Sequence, residues 1–186
     1  MNENLYTGRL VRLRAYGNED AQQAQAYIND PRVQSLMNGG ILFPYTYADE
    51  VKFVQGQTGV SSREYQFAID ALEDPPRYIG GCGFNHIDWK NRWCEVGIMI
   101  GHTDYWGRGY GTDAMAILLR FAFEELNLNR VMLKAFAFNP RAIASYEKNG
   151  FVKEGVLRGQ IFRQGEYHDE IVMGLMREEW LARQGR

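Results

Sequence analysis

The chain has 186 residues, 45% hydrophobic and 24% charged, with a formal net charge of -2. That length suits one domain over residues 1–186 with a core of its own. The near-neutral charge carries no basic block, which argues against a nucleic-acid partner. No apolar run approaches the ~18 residues of a membrane span, because AMAILL at 114–119 is stopped by Arg120.

The first residues, MNENLYTGRL, lack the charged-then-apolar order of a signal peptide. The only cysteines, Cys82 and Cys94, sit in strand-like segments and read as free thiols of a reducing compartment. A cytoplasmic protein is expected, without a membrane partner.

RLVRLRAY (9–16) alternates like a strand, and NEDAQQAQAYIND (18–30) follows as a helix with Asn18 as N-cap and a stop before Pro31. Residues 38–45 read as a loop. TYAD (46–49) has capping-box spacing and opens a helix to about Gly59. YQFAIDAL (65–72), RYIGGCGFNHID (77–88) and WCEVGIMI (93–100) form an antiparallel meander with connections at EDPP and WKNR. Apolar residues at helical spacing occupy 112–127, a strand covers 131–138, and PRAIASYEKN (140–149) is a helix with proline in its first turn and Gly150 as its stop. Two last strands, near 151–162 and 166–176, flank a turn at Gln164-Gly165. No repeat or linker interrupts the order β-α-α-β-β-β-α-β-α-β-β. The expected fold is α/β (α+β): a mixed, mostly antiparallel sheet of about seven strands flanked by helices.

Between the third strand and the long helix the chain reads DYWGRGYGTDAM (104–115), with glycines at 107, 109 and 111. Each glycine costs a helix about 1 kcal/mol against alanine. Two readings explain them: a tight packed turn, or a nest of backbone N–H groups for an anion. A helix mouth carries unpaired amides and about half a positive charge, and glycines let a pyrophosphate approach that backbone. Arg108 could add a cationic side chain. GxxxxGK[ST] is absent, and GxGxG after an antiparallel meander is neither the spacing nor the place of a dinucleotide fingerprint.

A second motif, NPRAIASYEKNGF (139–151), puts Asn139 and Tyr146 seven residues apart, on nearly one helix face. The glycine turn followed by N-x-x-A-x-x-x-Y-x-x-x-G-F resembles the GNAT superfamily of acetyl-CoA-dependent N-acetyltransferases. FPYTYADEVKFV, EVGIMIGHTDYWGRGYGTDAM and EGVLRGQIFRQGEYHDEIVMGLMREEW extend the likeness over almost the whole chain. They resemble the branch holding ribosomal-protein N-terminal and spermidine acetyltransferases, in which dimers are common.

The resemblance implies acetyl-CoA as co-substrate, no metal, and an amine acceptor: a protein N-terminus, a small amine or a polyamine. It aligns the family's pyrophosphate turn on Trp106, Gly107, Arg108, Gly109, Tyr110 and Gly111. The amides from Arg108 to Thr112 would bind the pyrophosphate, and the strand edge at Met99, Ile100 and Gly101 would pair with the pantetheine arm. It makes Tyr146 the acid that protonates the leaving sulfur and places Asn139, also an N-cap, beside the cofactor arm. A non-catalytic CoA-binding module stays open as an alternative.

The base is read from the strand itself. Alternation on WCEVGIMI sends Cys94, Val96, Ile98 and Ile100 to one face and Trp93, Glu95, Gly97 and Met99 to the other. Glu95 is therefore the candidate base, with His102 second. Glu166, Asp169 and Glu170 join Glu95 as acids that would attract a polycation. About one α-amine in seven is neutral at pH 7, against about four lysine-type amines in ten thousand, so an α-amine needs less help from a base.

Overall fold

Neighbouring residues of a strand point to opposite faces, and in the computed structural model Ala68 and Ile69 do so on the strand next to one edge of the sheet. The structure describes residues 4–37, 39–57 and 64–185. Ala68 packs with Tyr16, Ala21 and Val54, under helices α1 (Asp20–Ile28) and α3 (Tyr47–Gly56). Ile69 joins the larger core with Met115, Leu118 and Phe123 around helix α4 (Tyr110–Arg120). The sheet is covered on both faces.

Seven strands form it: β1 (Val11–Arg14), β2 (Tyr65–Ala71), β3 (Arg77–Asp88), β4 (Trp93–Ile100), β5 (Arg130–Phe136), β6 (Val152–Arg163) and β7 (Glu166–Met176). Their order is β1-β2-β3-β4-β5-β7-β6, and β4–β5 is the parallel pair among antiparallel neighbours. This is the mixed, mostly antiparallel sheet expected from the sequence. Cys82 and Cys94 are free and buried, and burial raises both thiols above their ordinary range.

The capping box is present: Thr46 Oγ1 accepts from the Asp49 amide at 3.2 Å, and Asp49 Oδ2 accepts from the Thr46 amide at 2.9 Å. The expected end of α3 at Gly59 lies outside the described residues. Asn18 is not the N-cap of α1. The cap is Glu19, without a side-chain bond, because Asp20 takes the Gly17 amide at 2.8 Å and the Arg14 guanidinium.

Two helices were missed. Pro31 stops α1 and also opens α2 (Pro31–Met37), where a missing N–H costs nothing. Glu179 accepts from the Met176 amide at 2.8 Å and so turns the end of β7 into α6 (Arg177–Arg183). The long helix starts two residues early and closes with a wide turn over Phe121–Glu125, where the Leu126 amide bonds the Phe121 carbonyl. Among the described residues no helix is long and apolar enough to cross a membrane.

Candidate active site

The site begins where two strands part. β4 pairs with β5 only over Trp93, Cys94 and Glu95, after which β5 continues against β7. Beyond Glu95 one edge of β4 is open. The Gly101 amide bonds the Ile79 carbonyl at 2.8 Å, which fixes the alternation: Met99 and Gly101 turn their backbone groups to β3, and Ile98 and Ile100 turn theirs to the opening. Of the expected edge Met99 to Gly101, Ile100 faces the opening, while Met99 and Gly101 face β3. Register set by the β3–β4 hairpin cannot be read from β4 alone.

The Ile100 carbonyl is already taken, by the Trp106 indole N–H at 2.6 Å. Trp106 therefore ties the glycine turn to the end of β4. Gly101 has a different role: a Cβ there would lie 2.4 Å from the Tyr27 ring.

The turn itself is a conformational demand. Gly107 and Gly109 have φ of 71° and 93°, in the left-handed region that side chains rarely adopt, and a Cβ on Gly107 would meet nothing within 4 Å. Space is not the reason for glycine there. Gly109 is the N-cap of α4 and offers no side chain, so the first-turn amides of Tyr110, Gly111 and Thr112 are left without intrahelical acceptors. The acid of that turn does not cover them: Asp113 accepts instead from the amides of Arg9, Leu10 and Val11 at 2.8–3.2 Å.

The basic side chain at this mouth is not the expected one. Arg108 is exposed, donates to the Asp104 carbonyl at 3.3 Å and lies over the Tyr105 and Tyr110 rings. Arg141, on α5 (Pro140–Lys148), lines the cavity with Lys148, and its guanidinium sits 3.8 Å from the Trp106 ring centroid. Burial pulls its pKa below the usual arginine value. No spacing signal pairs Trp106 with Arg141, which stand 35 positions apart. Together with Gly107, Gly109, Gly111 and Ile100 they bound a cavity of about 260 Å³.

α5 is fastened to this turn. Thr112 and Ser145 share a hydroxyl hydrogen bond of 2.8 Å, and the Asn149 amide group donates to the Thr112 carbonyl at 3.2 Å. Asn139 caps α5 by accepting from the Ala142 amide at 3.2 Å. One helical stretch on, Tyr146 is buried with its ring against Phe151, and burial pushes its phenol up to about 12. At neutral pH that phenol keeps its proton. Asn139 and Tyr146 border both the cavity above and a second one on the far side.

The second cavity, about 630 Å³, is lined by Tyr16, Glu50, Tyr78, Glu95, Lys134 and Glu170 among others. Glu50, from α3, is buried, 7% exposed, and burial raises its carboxyl above the ordinary range. Glu170 is raised too, first by burial and then by Glu95, with Lys134 pulling the other way. Glu95 pairs with Lys134 at 3.6 Å.

The other sequence candidates lie elsewhere. His102 packs between Tyr27 and Tyr105 outside both cavities, Glu166 is exposed at the β6–β7 turn, and Asp169 accepts from the Gly159 amide at 2.9 Å. Glu50 and Lys134 were missed because each reads as an ordinary charged residue of an amphipathic element.

The site joins a glycine turn whose first-turn amides lack intrahelical acceptors, an open strand edge, a buried tyrosine phenol and a cavity lined by carboxylates. The model of the acetyltransferase (GNAT) domain matches residues 10–152. The chain is 41% identical over 180 residues to the SPbeta prophage-derived uncharacterized N-acetyltransferase YokL of Bacillus subtilis, covering 97% of each. It is 36% identical over 116 residues, 60% of this chain and 63% of the relative, to the putative ribosomal N-acetyltransferase YdaF of the same organism. Its fold matches the spermidine N-acetyltransferase from Vibrio cholerae, solved in complex with CoA and spermine, at a TM-score of 0.81 and 23% identity, over 92% of this chain and 98% of that one. The chain belongs to the GNAT acetyltransferase family. It is an acetyl-CoA-dependent N-acetyltransferase, with acetyl-CoA as co-substrate.

Proposed function

We propose that the enzyme acetylates the primary amine of a cationic acceptor that enters through the larger cavity and meets the thioester beside Tyr146. The observation that carries this reading is the opening between β4 and β5, with a backbone nest on one side and Glu50, Glu95 and Glu170 on the other. The first-turn amides of α4 and Arg141 hold the pyrophosphate of the co-substrate. Ile98 and Ile100 pair with its pantetheine arm along the open edge.

The neutral amine then attacks the thioester carbonyl, and an N–H on that edge stabilises the oxyanion. As the carbon–sulfur bond breaks, Tyr146 gives its proton to the departing thiolate. Glu95 takes up the proton that the amine loses, and the acidic lining concentrates positively charged acceptors.

A protein N-terminal α-amine is the second reading. It is favoured by the pairing of Glu95 with Lys134, since an α-amine needs little help from a base. A single assay tests both: acetyl-CoA with spermidine, butylamine or a short peptide with a free N-terminus, products weighed by mass spectrometry. Acetylated spermidine or butylamine ahead of peptide supports the first reading, and peptide ahead supports the second. CoA binding without transfer to any amine overturns both.

A further inference from the structure

The acceptor cavity is not uniformly acidic, and the exception has a fixed place. β5 runs between β4 and β7, with Glu95 beside Met132 on one flank and Glu170 opposite Phe136 on the other. Met132, Lys134 and Phe136 share one face of β5 by alternation. The Lys134 ammonium thus stands between two carboxylates, 3.6 Å from that of Glu95 and close enough to Glu170 to act on its charge. All three line the same cavity, and Lys134 and Glu95 are 40% and 29% exposed, so an entering molecule reaches them.

A lysine ammonium is the same chemical group as the charged end of an alkylamine. Where it already pairs with Glu95 and lies on the strand next to that of Glu170, it occupies the position that a second positive charge on the acceptor would take. Glu50 lines the same cavity and makes no ion pair among the described residues.

We propose that Lys134 is a specificity residue: its ammonium, set between Glu95 and Glu170, limits the positive charge an acceptor can carry into the cavity and so disfavours diamines relative to monoamines. The proposal rests on the reading that acceptors enter this cavity. Specificity of this kind is a difference of affinities, built by an opposing charge as much as by an attractive one.

The test is equilibrium binding, which stands apart from turnover. Calorimetry on the protein saturated with CoA would measure Kd for butylamine and for 1,4-diaminobutane, in wild type and in Lys134→Met. Expected is a rise of about tenfold in the ratio of the butylamine to the 1,4-diaminobutane Kd, with CoA affinity retained to show the variant folded. Adding Glu170→Gln to Lys134→Met should remove most of that rise. An unchanged or reduced ratio overturns the proposal, as does a gain that survives Glu170→Gln, or no binding of either amine. If the ratio shifts while no amine is acetylated, the reading of the reaction fails and the charge role of Lys134 stands.

Discussion

The two chambers on either side of Tyr146 are built by different means. In the proposed reaction the CoA side rests mainly on backbone, the amides of Tyr110, Gly111 and Thr112 and the free edge of β4, with Arg141 as its charged side chain. The acceptor side is made of side chains brought from α3, β4, β5 and β7. A backbone site is tied to the fold and tolerates change only through φ and ψ, whereas a side-chain site can be rewritten one residue at a time. Within one family the co-substrate can stay fixed while the acceptor varies, and the proposed division puts that freedom in the side-chain cavity.

The sharpest way to test the division is at its border. Tyr146→Phe keeps the ring that packs on Phe151 and removes only the hydroxyl, with its proton. We expect turnover to fall by at least roughly tenfold, with CoA and acceptor affinities kept. Steady-state kinetics on the best acceptor of the panel would measure it, and unchanged kcat would remove the phenol from the chemistry.

On the backbone side, Gly109→Ala forces a side chain into φ of 93°, although its Cβ would meet only Leu10 at an ordinary contact distance of 3.4 Å. Strain of about 1–2 kcal/mol is expected to distort the nest. CoA affinity, read by calorimetry, should fall roughly tenfold while a variant on the acceptor side, such as Glu50→Gln, leaves it within about twofold. Arg141→Ala removes one charge-assisted contact and should weaken CoA several-fold, an effect that shrinks as salt is raised. Equal loss of CoA affinity in Glu50→Gln would erase the distinction between the chambers.

Legibility in the sequence follows the same line. The glycine turn, the Thr46–Asp49 box and the Asn139 cap are local, each complete within a few residues, and each was readable before any coordinates. The antiparallel meander was readable too, from alternation and turns. What escaped depends on partners far along the chain. Arg141 reaches the glycine turn because it stacks on Trp106, and Gly101 is a packing residue because Tyr27 leaves no room for a Cβ. Pro31 was read as a stop and is also a start, since the same missing N–H serves both ends. The larger cavity was the least legible: Glu95 and Glu170 could be named as acids, but Glu50 and Lys134 join them in one lining only after helix and sheet are assembled.

Glu50 offers the subtlest test, through pH. Burial raises its carboxyl in the folded chain above the ordinary value of about 4.3. The folded state then holds the Glu50 proton more tightly than the unfolded state does. By linkage, this group favours the folded chain least once pH has risen past the raised value, and its unfavourable contribution grows between the ordinary value and that point. Glu50→Gln removes the titration while keeping the shape. Its Tm should match wild type near pH 4 and exceed it by roughly 2 °C at pH 8, about what a small gain in stability produces in a chain of this size. Thermal melts of the two proteins across that range measure the difference. A constant offset at every pH would mean that the carboxyl is not held in a desolvated site, and Glu50 would lose its place as the anionic wall of the acceptor chamber.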